Sequence, residues 1–343
     1  MRDKTTTHSA VVIGIDAGGT HSRAICTDLS GQVLARTQCG GGNPRKNPAA
    51  KDNIQSLIHE VLTLSQHTPD QVANLVAGFA GLNRVEDQAW AVDFTTLPAF
   101  SFEPTCVNDA VVAHAGAFAL KPGIVAIGGT GSIVFGINEA GDPVSDYDFN
   151  HHTDGHARGL GYQAVFHVLA GLAVDEDGPL VAQILNHFGV TTITDLAAIA
   201  RQSSNRPRDE VVAQYSQLAP LITRAAEAGV PLACAVCQRA VAGYVLGIRL
   251  VGSLFASDKP QTQHPIDYTL IGSVVRHPYI RTHLIDTLNH PTNHAYRYVE
   301  PALSPEAGAA LMALTALGVE PTQSVIERLR KRHTMPDIHR HIP

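Results

Sequence analysis

The sequence predicts an α/β protein built from two duplicated halves, and three observations lead to this prediction. Short runs rich in Val, Ile and Thr, typical of strands, are concentrated in the first 150 residues ("VVIGID", "RAICTD", "VLARTQ", "LVAGFAG" and "PTCVND"). Helical patterns separate the later runs, in "NIQSLIHEVLTLSQ" and "DAVVAHAGAFAL". A loop motif from the first two strands also returns farther along the chain. Three adjacent strands followed by strand–helix alternation indicate a mixed sheet.

Length and composition limit the classes of function. A chain of 343 residues favours two domains over a single core. The net charge of −6 offers no basic surface, so we expect no nucleic-acid partner. No apolar run approaches the roughly 18–20 residues of a membrane span, so we also expect no membrane contact. The five cysteines are scattered, which favours reduced thiols and a cytoplasmic location.

The opening stretch "VVIGIDAGGTHSRAICTDLSGQVLA", residues 11–35, is repeated by "GIVAIGGTGSIVFGINEAGDPV", residues 123–144. Five small or turn residues match, each pair 110 positions apart: Gly18, Gly19, Thr20, Ser22 and Gly31 recur as Gly128, Gly129, Thr130, Ser132 and Gly141. Because all five pairs have the same offset along the chain, the match indicates that the protein consists of two related halves. It also weakens the alternative of an ordinary hairpin, because ordinary hairpins need not share a loop sequence.

The repeated Gly-Gly-Thr loops suit the binding of phosphate. Glycine lets backbone N–H groups approach an anion closely, and Thr or Ser adds a hydroxyl donor. The alternative is that both loops are structural turns only. Asp16 corresponds to Ala126, so only the first loop keeps a carboxylate, which suits Mg²⁺ directly or through water. The predicted phosphate-binding residues are Gly18, Gly19, Thr20, Gly128, Gly129, Thr130, Gly131 and Ser132.

Six motifs together resemble a known family: "GIDAGGTHSRA", "AGFAGLNR", "VNDAVVAHAGA", "AIGGTGSIVFG", "LIGSVVRHP" and "PALSPEAGAALMAL", in that order. They are similar to the sugar kinase, heat-shock ATPase and actin superfamily. Within it they resemble the BadF/BadG/BcrA/BcrD ATPase family, which includes N-acetylglucosamine kinases. The resemblance covers nearly the whole chain. It implies an α/β fold with two duplicated actin-like (ribonuclease H-like) domains around a nucleotide cleft.

The same resemblance implies the activity and the domain organisation. We expect an ATP-dependent kinase with ATP and Mg²⁺ as cofactors, acting on a hydroxyl of an amino sugar or hexose, N-acetylglucosamine or glucosamine first of all. The expected state is a homodimer. The N-terminal domain, on the sugar side, covers residues 1–115, and a larger C-terminal domain covers 116–343 with a helical insertion at about 155–255. The last helix is expected to pack back on the N-terminal domain, and Gly19 is expected to face Gly129 across the cleft.

Asp109 is the expected catalytic base. Asn108 and Asp109 follow a predicted strand and precede a predicted helix. In related sugar kinases the matching Asp accepts the proton of the attacking hydroxyl. Phosphoryl transfer asks little more of a protein than such positioning and charge neutralisation. The alternative is that Asp109 is only the N-cap of the helix.

Other site residues also follow from the resemblance. Related kinases put an Asn against the sugar at the place of "GGGNPRKNP", although a Gly-Asn-Pro turn is the alternative there. The expected sugar contacts are Asn43, Gly81, Asn83, Asn108 and Asp109. In "YTLIGSVVRHP", Gly272 and Ser273 are expected to lie under the adenine and ribose.

The chain departs from the family at one place. Related N-acetylglucosamine kinases usually carry Gly-Asp-Glu-Gly-Ser at a helix start, whereas this chain reads "DGHARGLGYQAVFHVLAG" and has Leu160 and Gly161 where the acidic pair is expected. Asp154, His156 or Arg158 are candidates to replace those carboxylates. An arginine would favour an anionic substrate. The identity of the sugar therefore stays open.

Two functions of other classes also stay open. One is an ATPase activator of a reductase or dehydratase, a branch of the same family that holds an iron–sulfur cluster with two cysteines per chain. The expected cysteine pair is missing, because Cys106 precedes Asp109 while Cys234 and Cys237 lie in an apolar helical pattern. The other is a nucleotide- or sugar-binding regulator without turnover.

Overall fold

A computed structural model describes residues 10–255, 265–289 and 295–331 of the chain. The chain forms two compact units. The first unit contains the residues up to Lys121 together with those from Pro301 onward, and the second contains Pro122–Glu300. The sequence-based domains are 1–115 and 116–343, with the last helix expected to pack back on the N-terminal domain.

The first unit contains one mixed sheet. Its strands, numbered in chain order, are β1 (Val11–Ala17), β2 (His21–Asp28), β3 (Val33–Gly40), β4 (Val72–Phe79) and β5 (Thr105–Asn108). The spatial order is β3-β2-β1-β4-β5. The first three strands are antiparallel, whereas β4 pairs in parallel with both β1 and β5. Since β1 is central and covered on both faces, its sequence is a continuous apolar run rather than an alternation.

Within the described ranges, five helices cover this sheet. They are α1 (Ala50–Ser65), α2 (Gln88–Thr95), α3 (Asp109–Phe118), α11 (Pro305–Ala316) and α12 (Gln323–Arg330). Helix α11 packs on β1 and α3. Gly14 permits this contact, because a side chain there would collide with the backbone of Glu306 and Ala310. This close packing places the C-terminal helices in the first unit rather than in the second.

The second unit repeats the topology of the first. Its strands are β6 (Gly123–Gly128), β7 (Ser132–Ile137), β8 (Pro143–Ser145), β9 (Ile266–Ile271) and β10 (Tyr296–Tyr298). Their order is β10-β9-β6-β7-β8. Again the first three strands are antiparallel and the last two run parallel to the first. The duplication seen in the sequence is therefore a duplication of structure.

The turns after β2 and β7 extend the repeat. In the first turn the carboxylate of Asp28 accepts hydrogen bonds from the backbone N–H groups two and four positions later, and in the second turn the amide oxygen of Asn138 does the same. Gly31 and Gly141 occupy the same left-handed position, with φ of +83° and +87°. Asp28 and Asn138 are also 110 positions apart. The two turns are thus equivalent although the side chains that organise them differ.

Helices dominate the rest of the second unit, over the range where the sequence predicts a helical insertion. They are α4 (Ala157–Leu169), α5 (Gly178–His187), α6 (Ile193–Gln202), α7 (Arg208–Ser216), α8 (Ala219–Glu227), α9 (Pro231–Gly252) and, after β9, α10 (Pro278–Leu288). Short 3-10 turns of this unit occur at Asp146–Phe149, Asp175–Asp177 and Ser203–Asn205, and those of the first unit at Pro69–Gln71 and Val85–Asp87.

Helix α9 corrects one expectation from the sequence. Its 22 residues are long and apolar enough, by length and composition, to cross a membrane. The prediction that no run reaches this length is therefore wrong. More than half of the helix is buried, and Val236, Tyr244 and Ile248 belong to the core of the second unit. A core helix explains the same composition.

Candidate active site

The first Gly-Gly-Thr loop connects β1 to β2 and is closed by its own backbone. The N–H of Gly18 donates to the carbonyl oxygen of His21 at 3.0 Å, and the carbonyl of Gly18 accepts from the N–H of Gly42 at 3.0 Å. The side chain of Lys46 lies beside the loop, since a Cβ at Gly19 would be 3.4 Å from Lys46 Nζ. A cation therefore stands next to the predicted phosphate site, although the sequence reasoning did not select it.

Asp16 lies at the end of β1, next to this loop, and carries an unfavourable charge. Its carboxylate is 16% exposed and 3.8 Å from Nη1 of Arg23, which is half-exposed. Burial, followed by the neighbouring charges of Asp109 and Glu306, raises the pKa of Asp16 to about 7 against the opposing effect of Arg23. A cation bound at this carboxylate would lower the free-energy cost of ionising it.

The surroundings of Asp16 fit a magnesium ion held by one carboxylate. Among the residues that the structure describes, no group of three or more His, Cys, Asp and Glu side chains is arranged to hold a metal ion. Mg²⁺ commonly binds through one or two carboxylates, with phosphate and water oxygens completing its coordination. The unbalanced negative charge at Asp16 is the structural feature that suits such an ion.

Glu306, on α11, supplies part of that negative charge. Its Oε1 accepts hydrogen bonds from Arg36 Nη1 and Ser304 Oγ, both at 2.6 Å. Its Oε2 is buried and has no hydrogen-bond partner among the described residues. Glu306 is 290 positions away from Asp16 in the sequence, so only the fold brings the two carboxylates near each other.

Asp109 is the first residue of α3, and its neighbour caps the helix. Asn108 is the N-cap, with its side-chain oxygen accepting from the N–H of Ala110 at 2.9 Å. The alternative in which Asp109 is the N-cap is therefore wrong. Burial raises the pKa of Asp109 to about 6, opposed by the N–H groups of Ala110 and Asp109 and by the charge of Lys46. The result is a partly buried carboxylate with a raised pKa, next to the first N–H groups of α3 but not at its N-cap position.

Asn43 and Gly81 lie together, as the prediction of a sugar pocket requires. Asn43 is buried, and its side-chain oxygen accepts from the N–H of Arg45 at 2.9 Å, as in an Asn-Pro turn. Its Nδ2 makes no hydrogen bond with another described residue. Gly81 has φ +91°, and a Cβ there would lie 2.7 Å from Asn43 Nδ2. The absence of a side chain at Gly81 therefore keeps this amide accessible.

Asn83 and Asn108 are brought together as well. Asn108 Nδ2 donates to Asn83 Oδ1 at 2.9 Å and to the carbonyl of Leu82 at 3.2 Å. Both N–H groups of the Asn108 side-chain amide are therefore engaged within the protein. The main role of Asn108 is thus to position Asn83 and α3. Asn83 is exposed, so its own amide nitrogen faces solvent.

Asp87 connects these loops, and sequence reasoning did not identify it. It accepts from Arg45 Nη2 at 2.6 Å, from the N–H of Asn83 at 3.1 Å and from Trp90 Nε1 at 3.2 Å. Arg45 Nη1 also donates to the carbonyl of Gly81 at 3.2 Å. The acidic residue is buried at a 3-10 turn, and no motif marks it in the sequence.

In the second unit the repeated loop contacts two other predicted segments. The carbonyl of Gly128 accepts from the N–H groups of Val274 and Val275 at 2.9 and 3.2 Å. Gly272 has φ +106°, and any side chain there would collide with the Gly128 carbonyl. The predicted phosphate residues Gly128–Ser132 and the predicted adenosine residues Gly272 and Ser273 therefore lie next to each other. Gly129 and Gly131 border open space.

The start of α4 also contacts this loop. The N–H of Ala157 donates to the carbonyl of Gly129 at 2.8 Å, and Ser132 Oγ donates to the carbonyl of Thr153. The buried Tyr244 hydroxyl donates to the carbonyl of Gly155 at 2.7 Å. Tyr244 was missed by sequence reasoning because it lies inside an apolar helix, α9, far from any motif.

The three candidates to replace the missing acidic pair lie around the start of α4. His156 is the N-cap, and its Nδ1 accepts from the N–H of Gly159 at 2.8 Å. Asp154, His156 and Arg158 all line one cavity of the second unit. His156 is thereby partly committed to the helix, which leaves Asp154 and Arg158 as the charged groups.

The cysteines do not resemble a cluster-binding pair. All five are free thiols, and Cys237 is buried in α9. Burial, with a smaller effect of Cys234, raises the pKa of the Cys237 thiol to about 12. Burial likewise raises the pKa of Cys106 to about 11. Iron–sulfur clusters are held by thiolates, so these environments do not favour the activator alternative.

Comparison with known proteins agrees with this geometry. The N-acetyl-D-glucosamine kinase of Dictyostelium discoideum is 26% identical over 322 residues, which cover 89% of this chain and 98% of that protein. The glucosamine kinase GspK of Vibrio cholerae is 27% identical over 236 residues, 67% of this chain and 76% of that protein.

A solved structure shows the same fold. A candidate N-acetylglucosamine kinase from Chromobacterium violaceum superposes with a TM-score of 0.67 at 21% identity, covering 89% of this chain and 99% of the other. The prediction of an actin-like α/β fold with two duplicated domains is confirmed. The model of one sequence family matches residues 13–313. This chain therefore belongs to the BadF/BadG/BcrA/BcrD ATPase family.

Proposed function

We propose that the protein is an ATP-dependent kinase that phosphorylates a hydroxyl of an amino sugar or hexose, with N-acetylglucosamine and glucosamine as the first candidates. The observation that carries this proposal is Asp109, a partly buried carboxylate with a raised pKa at the first position of α3, where Asn108 rather than Asp109 is the N-cap. The relatives described above, an N-acetylglucosamine kinase and a glucosamine kinase, support the same activity.

Asp109 is the proposed general base. The acceptor hydroxyl loses its proton to this carboxylate while its oxygen attacks the γ-phosphorus of ATP. The bond from that phosphorus to the bridging oxygen breaks, and ADP leaves. A pKa of about 6 keeps Asp109 mostly ionised near pH 7.5 yet makes it a stronger base than an ordinary aspartate. Lys46 lowers this pKa and would offset negative charge near the first loop.

The glycine loops are proposed to surround the phosphates. In the first unit the loop residues are Gly18, Gly19 and Thr20. In the second they are Gly128, Gly129, Thr130, Gly131 and Ser132, with Gly272 and Ser273 beside the adenosine. The N–H groups of Gly18 and Gly129 and the hydroxyl of Ser132 already donate within the protein, so these three residues shape the loops and would bind phosphate only by exchanging those bonds. Asp16 would hold Mg²⁺, directly or through water. When bound, the ion neutralises phosphate charge.

The sugar is proposed to contact Asn43, Gly81, Asn83, Asn108 and Asp109. Asn43 Nδ2 and the exposed amide of Asn83 are donors suited to sugar hydroxyls. The contribution of Asn108 is mainly indirect, since its amide already holds Asn83 and Leu82. Gly81 contributes by leaving room beside Asn43.

The test is a screen for sugar-dependent release of ADP. Purified protein with ATP and Mg²⁺ is offered N-acetylglucosamine, glucosamine or glucose, and the product is identified by mass spectrometry as a sugar monophosphate. We expect at least one sugar to stimulate ADP release and to gain one phosphoryl group. Nucleotide binding with no sugar-dependent turnover would instead support a regulator.

The quaternary state and the cellular location belong to the same proposal. We expect a homodimer in the cytoplasm. Light scattering coupled to size-exclusion chromatography measures the mass directly, and a mass equal to one chain of 36.5 kDa would contradict the dimer.

A further inference from the structure

A cavity of about 570 Å³ lies within the second unit. It is bordered by the first turns of α4 and α7 and by the 3-10 turn that precedes α7. Three arginines, Arg158, Arg206 and Arg208, line it together with one acidic residue, Asp154. The excess of positive charge on the wall favours a ligand with a negative group.

Two of the three guanidinium groups are available to a ligand. Arg206 is engaged, because its Nη1 donates to Gln214 Oε1 at 2.8 Å and its Nη2 lies 3.8 Å from Glu210. Arg158 makes only a long contact of 3.5 Å with the ring of His156. No hydrogen bond or ion pair joins Arg208 to another residue of the described ranges. Arg158 and Arg208 can therefore donate to an anion without losing a strong partner.

The backbone at the edge of the cavity also offers hydrogen-bond donors to an anion. Helix α7 begins at Arg208, and its N-cap is Pro207, which provides no side-chain acceptor for the first-turn N–H groups. Asp209 and Glu210 in the first turn offset the positive end of the helix dipole, so what this helix end offers an anion is hydrogen-bond donors from its first-turn N–H groups. This adds to the effect of the arginines on the same side of the cavity.

An aromatic wall adds a preference for a ring. The side chains of Tyr162 and Phe166, one turn apart on α4, are stacked with centroids 5.8 Å apart and planes inclined by 13°. Phe166 is 51% exposed although it is large and apolar. Flat aromatic faces of this kind pack against the apolar C–H face of a sugar ring.

We propose that this cavity binds an anionic sugar, with its carboxylate or phosphate on Arg158 and Arg208 and its ring against Tyr162 and Phe166. Two sources share this chemistry: a phosphoryl acceptor that itself carries an acidic group, and a sugar phosphate or sugar acid that binds without being phosphorylated. The hydrogen bond from Ala157 to the carbonyl of Gly129 connects the cavity wall to the second Gly-Gly-Thr loop. The binding itself does not depend on the kinase activity proposed above.

The experiment measures binding by isothermal titration calorimetry with matched sugars and without nucleotide. The probes are N-acetylglucosamine, N-acetylmuramic acid, which adds a carboxylate, and N-acetylglucosamine 6-phosphate, which adds a phosphate. We expect at least one anionic sugar to bind about tenfold or more tightly than the neutral one. In Arg208→Gln this preference should fall about tenfold. Arg201→Gln, which removes the same charge from an exposed site on α6 outside the cavity, should keep the preference.

A second variant separates the ring from the charge. Phe166→Ala should weaken the binding of the favoured anionic sugar while the response to inorganic phosphate alone persists. Circular dichroism checks that each variant is folded. Equal affinity for neutral and anionic sugars, or the same loss in Arg208→Gln and Arg201→Gln, would overturn the proposal.

Activity then distinguishes the two sources. If the favoured anionic sugar is phosphorylated in the presence of ATP, the cavity serves the acceptor, and if it binds without turnover, the cavity is a separate site. Both results support the proposed binding. A protein that phosphorylates no sugar would contradict the kinase, while the difference in affinity between charged and neutral sugars could still be measured.

Discussion

The substitution Asp16→Asn removes a largely buried negative charge from the first unit, and we expect the variant to be more stable than the parent near pH 8. Burial and the nearby carboxylates raise the pKa of Asp16 from 3.8 to about 7, which corresponds to a cost of about 4 kcal/mol in the free energy of folding once the group is ionised. The attraction of Arg23 is already included in this net shift, so its loss in the variant requires no separate subtraction. We therefore expect a gain of about 2–4 kcal/mol in the free energy of unfolding.

The gain should depend on pH in a definite direction. The unfolded chain loses the Asp16 proton near pH 4, whereas the native protein keeps it until about pH 7. Raising the pH across this interval therefore favours the unfolded state of the parent and has no such effect on the variant. The advantage of Asp16→Asn should be small near pH 4, increase up to about pH 7 and stay constant above that.

Urea unfolding in the absence of Mg²⁺ and nucleotide measures this difference. Trp90 is the single tryptophan of the chain and lies in the first unit, where its ring packs 5.2 Å from that of Phe79. Its fluorescence therefore reports on the unit that contains Asp16. Asp70→Asn, the same change at an exposed carboxylate of that unit, is the control. Loss of stability in Asp16→Asn at pH 8, or an equal gain at pH 4 and pH 8, would refute the reasoning.

Three other predictions concern the proposed reaction and its supports. Gly81→Ala should raise KM for the sugar about tenfold, because φ of +91° is unfavourable for alanine and the added Cβ would crowd Asn43. An unchanged KM for the sugar would count against this pocket. Tyr244→Phe should lower the free energy of unfolding of the second unit by about 1–2 kcal/mol and raise KM for ATP, because the carbonyl of Gly155 loses its hydrogen-bond partner. Urea unfolding and initial rates measure the two effects, and parental values for both would contradict the prediction. The pKa of Asp109 predicts that kcat/KM for the sugar rises with pH up to about 6 and is level above, and a rate independent of pH from 5 to 8 would exclude Asp109 as the base.

The sequence predicted the duplication well because the repeat lies where backbone geometry limits the choice of residue. Gly31 and Gly141 adopt the left-handed region, and the equivalent Gly18 and Gly128 lie where a side chain would collide. Because only glycine fits such positions without strain or collision, the same residue stands at the equivalent position of both halves, and the repeat is visible in a single sequence. The return of the chain to the first unit was expected from the family resemblance alone; the contact of α11 with Gly14, nearly 300 positions earlier, has no signal of its own in the sequence.

Long-range polar partners were the main omission. Asp87, Glu306 and Tyr244 support the candidate site through hydrogen bonds or charges that reach residues distant in sequence, such as the bond of Asp87 to Arg45. Neither helical nor strand periodicity marks such residues, because their burial depends on tertiary packing. The capping of α3 shows a related limit: both Asn108 and Asp109 are good capping residues, and only the structure assigns the cap to Asn108.

The central claim, that Asp109 accepts the proton of a sugar hydroxyl during phosphoryl transfer, is tested most directly by the rate of sugar-dependent ADP formation in Asp109→Asn. The amide occupies the same space but cannot take the proton, so the rate should fall roughly a hundredfold or more. ATP affinity, measured by calorimetry on the same preparation, should be retained, and Asp70→Asn should behave like the parent. If Asp109→Asn forms ADP at the rate of the parent while the sugar is still phosphorylated, the claim is contradicted.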